Sequence, residues 1–178
     1  MSLYLMNTNI AMLALVELVS AVFTGIAILW ITYRGFQYFG QRSFGMRAEN
    51  NLAYSIFLAS MLFSVGFSVS SVIDPLVSAF RLFDDQSKDM METVGMFAVY
   101  GGFYVAISFA VSITVSVLGV TIYINLTPLD EFEEIKKNNI GVALVLSTIV
   151  ITLSLMSRSG ITLLIESLLP YPQLPPIG

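Results

Sequence analysis

The chain has 178 residues, of which 56% are hydrophobic and only 11% charged, with a mean hydropathy of +0.83. A water-soluble domain carries about a quarter charged residues, so this composition implies lipid as the surrounding solvent. Net charge is −4 with no basic tract, which argues against nucleic acid as a partner, and the lack of cysteine and histidine excludes disulfides, thiolate metal sites and imidazole chemistry.

Crossing a hydrocarbon core takes roughly 20 apolar residues. The first stretch of that kind is Ile10–Tyr33, interrupted only by Glu17. No positively charged segment precedes it and its apolar run exceeds a signal-peptide core, so it reads as a retained span. In Tyr33–Asn51, aromatic residues (Tyr38, Phe39, Phe44) alternate with Arg34, Arg42 and Arg47, a mixture suited to the headgroup layer. The second span, Leu52–Ile73, and the third, Val94–Ile124, carry no charge. Between them, Pro75–Thr93 holds Arg81, Lys88 and several acids.

A short amphipathic segment precedes the last span. Thr127 reads as its N-cap, Pro128 as its first helical residue and Asp130 as part of a capping-box variant. Leu129, Phe132 and Ile135 fall on one face, and Asp130, Glu131, Glu133 and Glu134 on the other, as in a helix lying along the interface. The fourth span begins at Ile140 and stays uncharged to Ser157; Arg158, Ser159 and Gly160 follow, then Ile161–Leu169 with Glu166. Residues 170–178, PYPQLPPIG, form a proline-rich extended tail. In lipid each span must satisfy its own backbone, and no ten-residue alternating strands are present, so the spans are helices.

Shifting the chain by about 88 residues superimposes Phe44 on Phe132, Asn50 on Asn138 and Asn51 on Asn139, with an apolar span following in each case. The expected fold is therefore all-α and polytopic: a single membrane domain over 1–178, with four transmembrane helices in two parallel helix-pair repeats, 1–90 and 91–169. Basic residues near span ends favour the two interfacial loops, which places them in the cytoplasm and both termini outside.

The run Thr127-Pro128-Leu129-Asp130-Glu131-Phe132, followed by Ile135-Lys136-Lys137-Asn138-Asn139 and a span containing small residues, resembles the YjfL-type family of small bacterial inner-membrane proteins. That family is a domain of unknown function with two helix-pair repeats. The resemblance is sharpest over 126–160. It implies four spans in a bacterial inner membrane and, through relatives encoded near envelope-stress genes, a link to envelope stress; it implies no activity. The chain departs from the pattern in carrying the fuller threonine-proline-acidic motif only in its second half, and in a first half that is basic where the second is acidic.

Few residues point to chemistry. Asn50, Asn51, Asn138 and Asn139 sit where spans begin, and helix capping is the favoured role over a ring of amides at a polar entrance or a contact between repeats. Glu17 is an acid inside a span, at a cost of roughly 3 kcal/mol, and lies at a depth that allows pairing with Arg158 or service in a proton or cation path; the plainer reading leaves Arg158 at the headgroups. Ser60, Ser64, Ser68 and Ser71 on the second span, and Ser108, Ser112 and Ser116 on the third, recur at helical spacing. Close helix packing is the first reading of these stripes, a water-filled path the second. On span four, Thr148, Thr152 and Ser159 are the matching polar positions. No nucleotide loop, nucleophile elbow or carboxylate pair occurs, so no enzyme activity, cofactor or metal is expected. The expected partners are the lipid bilayer and either further copies of the chain or a larger membrane complex. The function expected is that of a non-catalytic membrane protein acting by assembly; the alternative is an oligomeric ion channel or proton/cation-conducting protein built on Glu17 and the serine-lined helices.

Overall fold

The computed structural model describes residues 8–72 and 90–168, and every regular element among them is helical. The chain runs through α1 (Thr8–Phe44), a 3-10 turn (Ala48–Asn50), α2 (Leu52–Ser70), α3 (Met90–Leu126), the short α4 (Glu131–Lys136) and α5 (Ile140–Leu168). Three helical stretches, Leu52–Ser70, Val99–Leu126 and Ile140–Leu168, are long and apolar enough to cross a membrane. The protein is thus an all-α membrane protein. α1 is a single helix of 37 residues. The span expected over Ile10–Tyr33 is contained within it. Most of the loop Pro75–Thr93 and the tail 170–178 lie outside the described residues.

α2 is the innermost helix, and its most extensive contact is with α5. The two run in the same direction, because contacts advance along both together: Asn51 meets Ile135 just ahead of α5, Ser147 reaches the Ile56 carbonyl, and Ser154 reaches Ser64 and Ser68. Both helices therefore start at the same end of the molecule. α1 and α3 run the opposite way. Leu29 of α1 sits over Gly66 of α2, while Phe36 and Phe44 pack at the start of α2. On α3, Tyr104 donates its hydroxyl to the Leu168 carbonyl at the far end, and Val120 joins the core near the start of α5.

Apolar packing follows this arrangement in three groups. Tyr54, Phe57, Met61, Ile135, Leu146 and Val150 fill the end where α2 and α5 begin. Ile28, Val65 and Val69 form a middle group, and Val72, Tyr104, Ile161 and Ile165 close the far end. In lipid such contacts gain little from leaving water, so packing density and small residues decide how close the helices come. Gly119 is such a point: the Leu153 side chain occupies the space that a Cβ there would need.

One local expectation is corrected. The interfacial helix begins at Glu131 with Asp130 as its N-cap, the Asp130 carboxylate accepting from the Glu133 N–H at 3.1 Å. Thr127 instead closes α3, where its N–H donates to the Tyr123 carbonyl and its hydroxyl lies within reach of the Tyr123 and Ile124 carbonyls. A serine or threonine hydroxyl serves the end of one helix as readily as the start of the next, and here the preceding turn claims it. The expected two-sided character of this helix also fails at both edges, because Leu129 is exposed whereas Glu131 is only 3% exposed. α5 runs as one helix through Ser159–Gly160 to Leu168.

Candidate functional site

The polar residues converge at the end where α2 and α5 begin. Asn51 is the N-cap of α2: its backbone is extended and its side-chain oxygen accepts from the Tyr54 N–H at 2.8 Å. Its amide nitrogen points across the molecule and donates to the carbonyls of Ile135 (2.8 Å) and Lys136 (3.2 Å) at the end of α4. One buried side chain therefore closes the start of one helix and the finish of another.

Asn138 makes the return link. Its φ of 65° is the only positive value at a non-glycine residue among those described, and asparagine tolerates that left-handed conformation. The conformation ends α4, with the Asn139 N–H on the Glu134 carbonyl and the Asn138 N–H on that of Ile135, the pattern of a Schellman cap. Its side-chain oxygen then accepts from the Ala53 N–H of α2 at 2.9 Å. Asn138 is thus the left-handed residue just past the Lys137 C-cap of α4 and a partner of α2, not an N-cap of α5. Asn139 holds that place instead: its oxygen accepts from the Val142 N–H and its nitrogen donates to Glu134. Asn50 ends the 3-10 turn, is exposed, and caps no span.

Aromatic packing ties the same end together. Phe44 and Phe132 stack with centroids 4.5 Å apart, and Phe57 meets Phe132 edge-on. Gly40 has room only for hydrogen because the Tyr54 ring lies against it, with the Tyr54 hydroxyl donating to the Phe36 carbonyl at 2.6 Å. Beside these rings, a largely apolar cavity of about 160 Å³ separates α1 from α3, with α2 as its floor.

The acids divide by position. Glu133 and Glu134 pair with Lys136 and Lys137 one helical turn on, at 3.4 and 2.8 Å. The hydrogen bond from Lys137, and then that from Asn139, hold the Glu134 carboxyl below its usual range; the same contact holds the Lys137 amine above its own. Glu131 faces inward. One of its oxygens is within hydrogen-bonding reach of the Thr127 hydroxyl, and the other is buried with no partner. Thr127, Pro128 and Glu131 line a second cavity of about 280 Å³ against the first two turns of α5.

The serine stripes are buried between helices. Ser60, Ser64, Ser68 and Ser71 of α2 and Ser108, Ser112 and Ser116 of α3 are all enclosed. Several donate within their own helix, Ser60 to Phe57, Ser71 to Ser68 and Ser112 to Ser108. Across the α2–α5 contact, Ser154 donates to the Ser64 carbonyl at 2.9 Å, which leaves Ser68 to donate to Ser154, also at 2.9 Å. Ser147 and Ser154 are the inward polar positions of α5, whereas Thr148, Thr152 and Ser159 are exposed. Two turns separate Ser147 from Ser154, a spacing that the threonines obscure in the sequence. Glu17 belongs to α1, but its side chain lies outside the described residues. Arg158 is exposed and sits over the Phe67 ring at 4.9 Å.

Among the described residues no group of three or more acids comes together in a way that would hold a metal ion. Residues 96–169 match the model of a family described as DUF350, a Domain of Unknown Function. The matched stretch runs from α3 to the end of α5, so it contains the Thr127–Asn139 segment whole. No curated protein and no solved structure matches the chain.

Proposed function

We propose that the protein is a non-catalytic subunit of the bacterial inner membrane that acts by assembling with copies of itself or with a larger membrane complex, in a role related to envelope stress. In this reading α1 supplies a further span, making four, the chain is two parallel helix-pair repeats, and the asparagine junction faces the cytoplasm with both termini outside. The observation that carries it is the use of the polar side chains. Asn51, Asn138, Ser68 and Ser154 join α2 to the segment from α4 to α5, so the polar groups of the interior hold the two halves together.

What remains for contact with other molecules is apolar. Phe23 and Trp30 on α1, Phe103 and Ile122 on α3, and Met156 and Leu163 on α5 are all exposed, surfaces suited to lipid or to a neighbouring subunit. Asp130, Glu133, Lys136 and Lys137 lie exposed at the junction end, where a partner outside the bilayer would meet them.

Native mass spectrometry of the protein released from nanodiscs, with crosslinking in intact membranes, tests the reading. The expected result is an oligomer or a stable heteromeric band that weakens when Asp130 and Glu133 are neutralised. A monomer without crosslinked partners would overturn it. The competing reading, a cation path through Glu17 and the serines, predicts liposome flux that Glu17→Gln abolishes.

A further inference from the structure

The offset that carries Asn51 to Asn139 also carries Leu52 to Ile140, and both asparagines accept from the N–H three residues on. α2 and α5 nonetheless meet through different faces. α2 offers Ile56, Ser64 and Ser68, whereas α5 offers Ser147 and Ser154, whose counterparts on α2 are Ala59 and Gly66. A contact between unlike faces leaves one of each kind unused. On α5 the unused face carries Leu144, Thr152 and Met156, the counterparts of Ile56, Ser64 and Ser68; all three are exposed, Met156 at 76%. On α2 it carries Ala59, which is exposed, and Gly66, which is partly so.

These two faces suit each other. Where Ser68 meets Ser154 inside the chain, the same contact between copies sets Met156 over Gly66, a long side chain against a small residue that admits close approach. Charge matches as well. Ile135 packs in one apolar group with Met46 and Ala53. Its counterpart is the exposed Arg47 and that of Met46 is Glu134, so between copies an arginine comes beside a carboxylate. Because α2 and α5 run in the same direction, a second copy repeats their contact without turning over in the membrane.

We propose that the chain associates with itself head to tail, the α5 face of one copy (Leu144, Thr152, Met156) seated on the α2 face of the next (Ala59, Gly66) in the geometry of the α2–α5 contact within the chain. The inference rests on the reading of the chain as two parallel repeats that assemble, and it specifies which surfaces meet. Two unlike surfaces leave a free one at each end of a pair, so association continues until a ring closes.

The chain has no cysteine, so Ala59→Cys and Leu144→Cys, carried on separate full-length chains with different tags, report only contacts between copies. These positions are the counterparts of Ser147 and Ile56, where the Ser147 hydroxyl donates to the Ile56 carbonyl. Oxidation in native membranes is expected to join them at least tenfold more than it joins Leu144→Cys to the exposed Ile122→Cys of α3. Adding Arg47→Glu to the Ala59→Cys chain is expected to lower the yield at least threefold. No bond at the first pair, an equal bond at the second, or a yield untouched by Arg47→Glu would overturn the head-to-tail contact. Native mass spectrometry of the wild type separates the two failures: an oligomer without that bond leaves the assembly reading standing, and a monomer without partners removes both.

Discussion

Asn51 donates to the carbonyl of Ile135, 84 residues further along the chain, while its own oxygen caps α2. This contact joins the start of α2 to the finish of α4, and Asn138 answers it by accepting from Ala53. Asn51→Ser tests the link, because serine keeps the cap and loses the cross-chain donor. It is expected to cost about 0.5–1.5 kcal/mol, the net worth of a lost hydrogen bond, since the Ile135 carbonyl keeps the Asn138 N–H. Unfolding in mixed detergent micelles measures it, and the exposed Asn50→Ser should lie within error of the wild type.

Ser68, in the last turn of α2, and Ser154, midway along α5, couple the two helices. Single Ser→Ala changes and the double variant form a cycle. Interhelical hydroxyl bonds in membranes are worth about 0.6 kcal/mol on average, so a coupling energy near that value is expected. A coupling of zero would mean that each hydroxyl is equally well served within its own helix.

Gly40 and Tyr54 form a close approach between α1 and α2. A methyl group at position 40 meets the ring and displaces the hydroxyl from the Phe36 carbonyl. Gly40→Ala is expected to destabilise by about 1–3 kcal/mol, the usual range for overpacking. In a Tyr54→Leu background the same change should cost far less, since the obstructing ring is gone. Equal costs in both backgrounds would show that the glycine serves another purpose.

The Glu134–Lys137–Asn139 contacts make the start of α5 sensitive to pH. Because the folded carboxyl of Glu134 titrates below its usual range, its stabilisation is present above the ordinary carboxylate value and is lost as pH falls through the lowered one. Lys137 behaves oppositely, its share disappearing only as pH rises past its raised value in strong alkali. The advantage of the wild type over Glu134→Gln should therefore be level near neutrality, shrink in acid, and diminish with added salt, since the pair is exposed. Thermal unfolding of both proteins across acid and neutral pH reads this directly.

Much of the architecture was legible along the chain because lipid imposes a coarse rule. Long uncharged stretches have to satisfy their backbones internally, so α2, α3 and α5 follow from hydropathy alone. The asparagine pairs were legible as junctions for the same local reason, since they stand where apolar runs begin. Which asparagine does what was not. Asn138 takes a left-handed conformation to end α4, and Asn51 reaches over a chain separation of 84 residues, so both roles depend on α2 and α5 lying side by side.

Tertiary structure alone also settled the acids and the hydroxyls. Asp130, Glu131, Glu133 and Glu134 look alike in a run, and only the packing of α4 against α5, α2 and α1 turns Glu131 inward while leaving Glu133 and Glu134 to the lysines. Ser154 outranks the more conspicuous threonines of α5 because its face, not theirs, meets α2. Solvent chose which stretches became helices; the register between helices chose which side chains meet. Hydropathy is a property of each residue and can be summed along the chain, whereas register exists only once two helices are in contact.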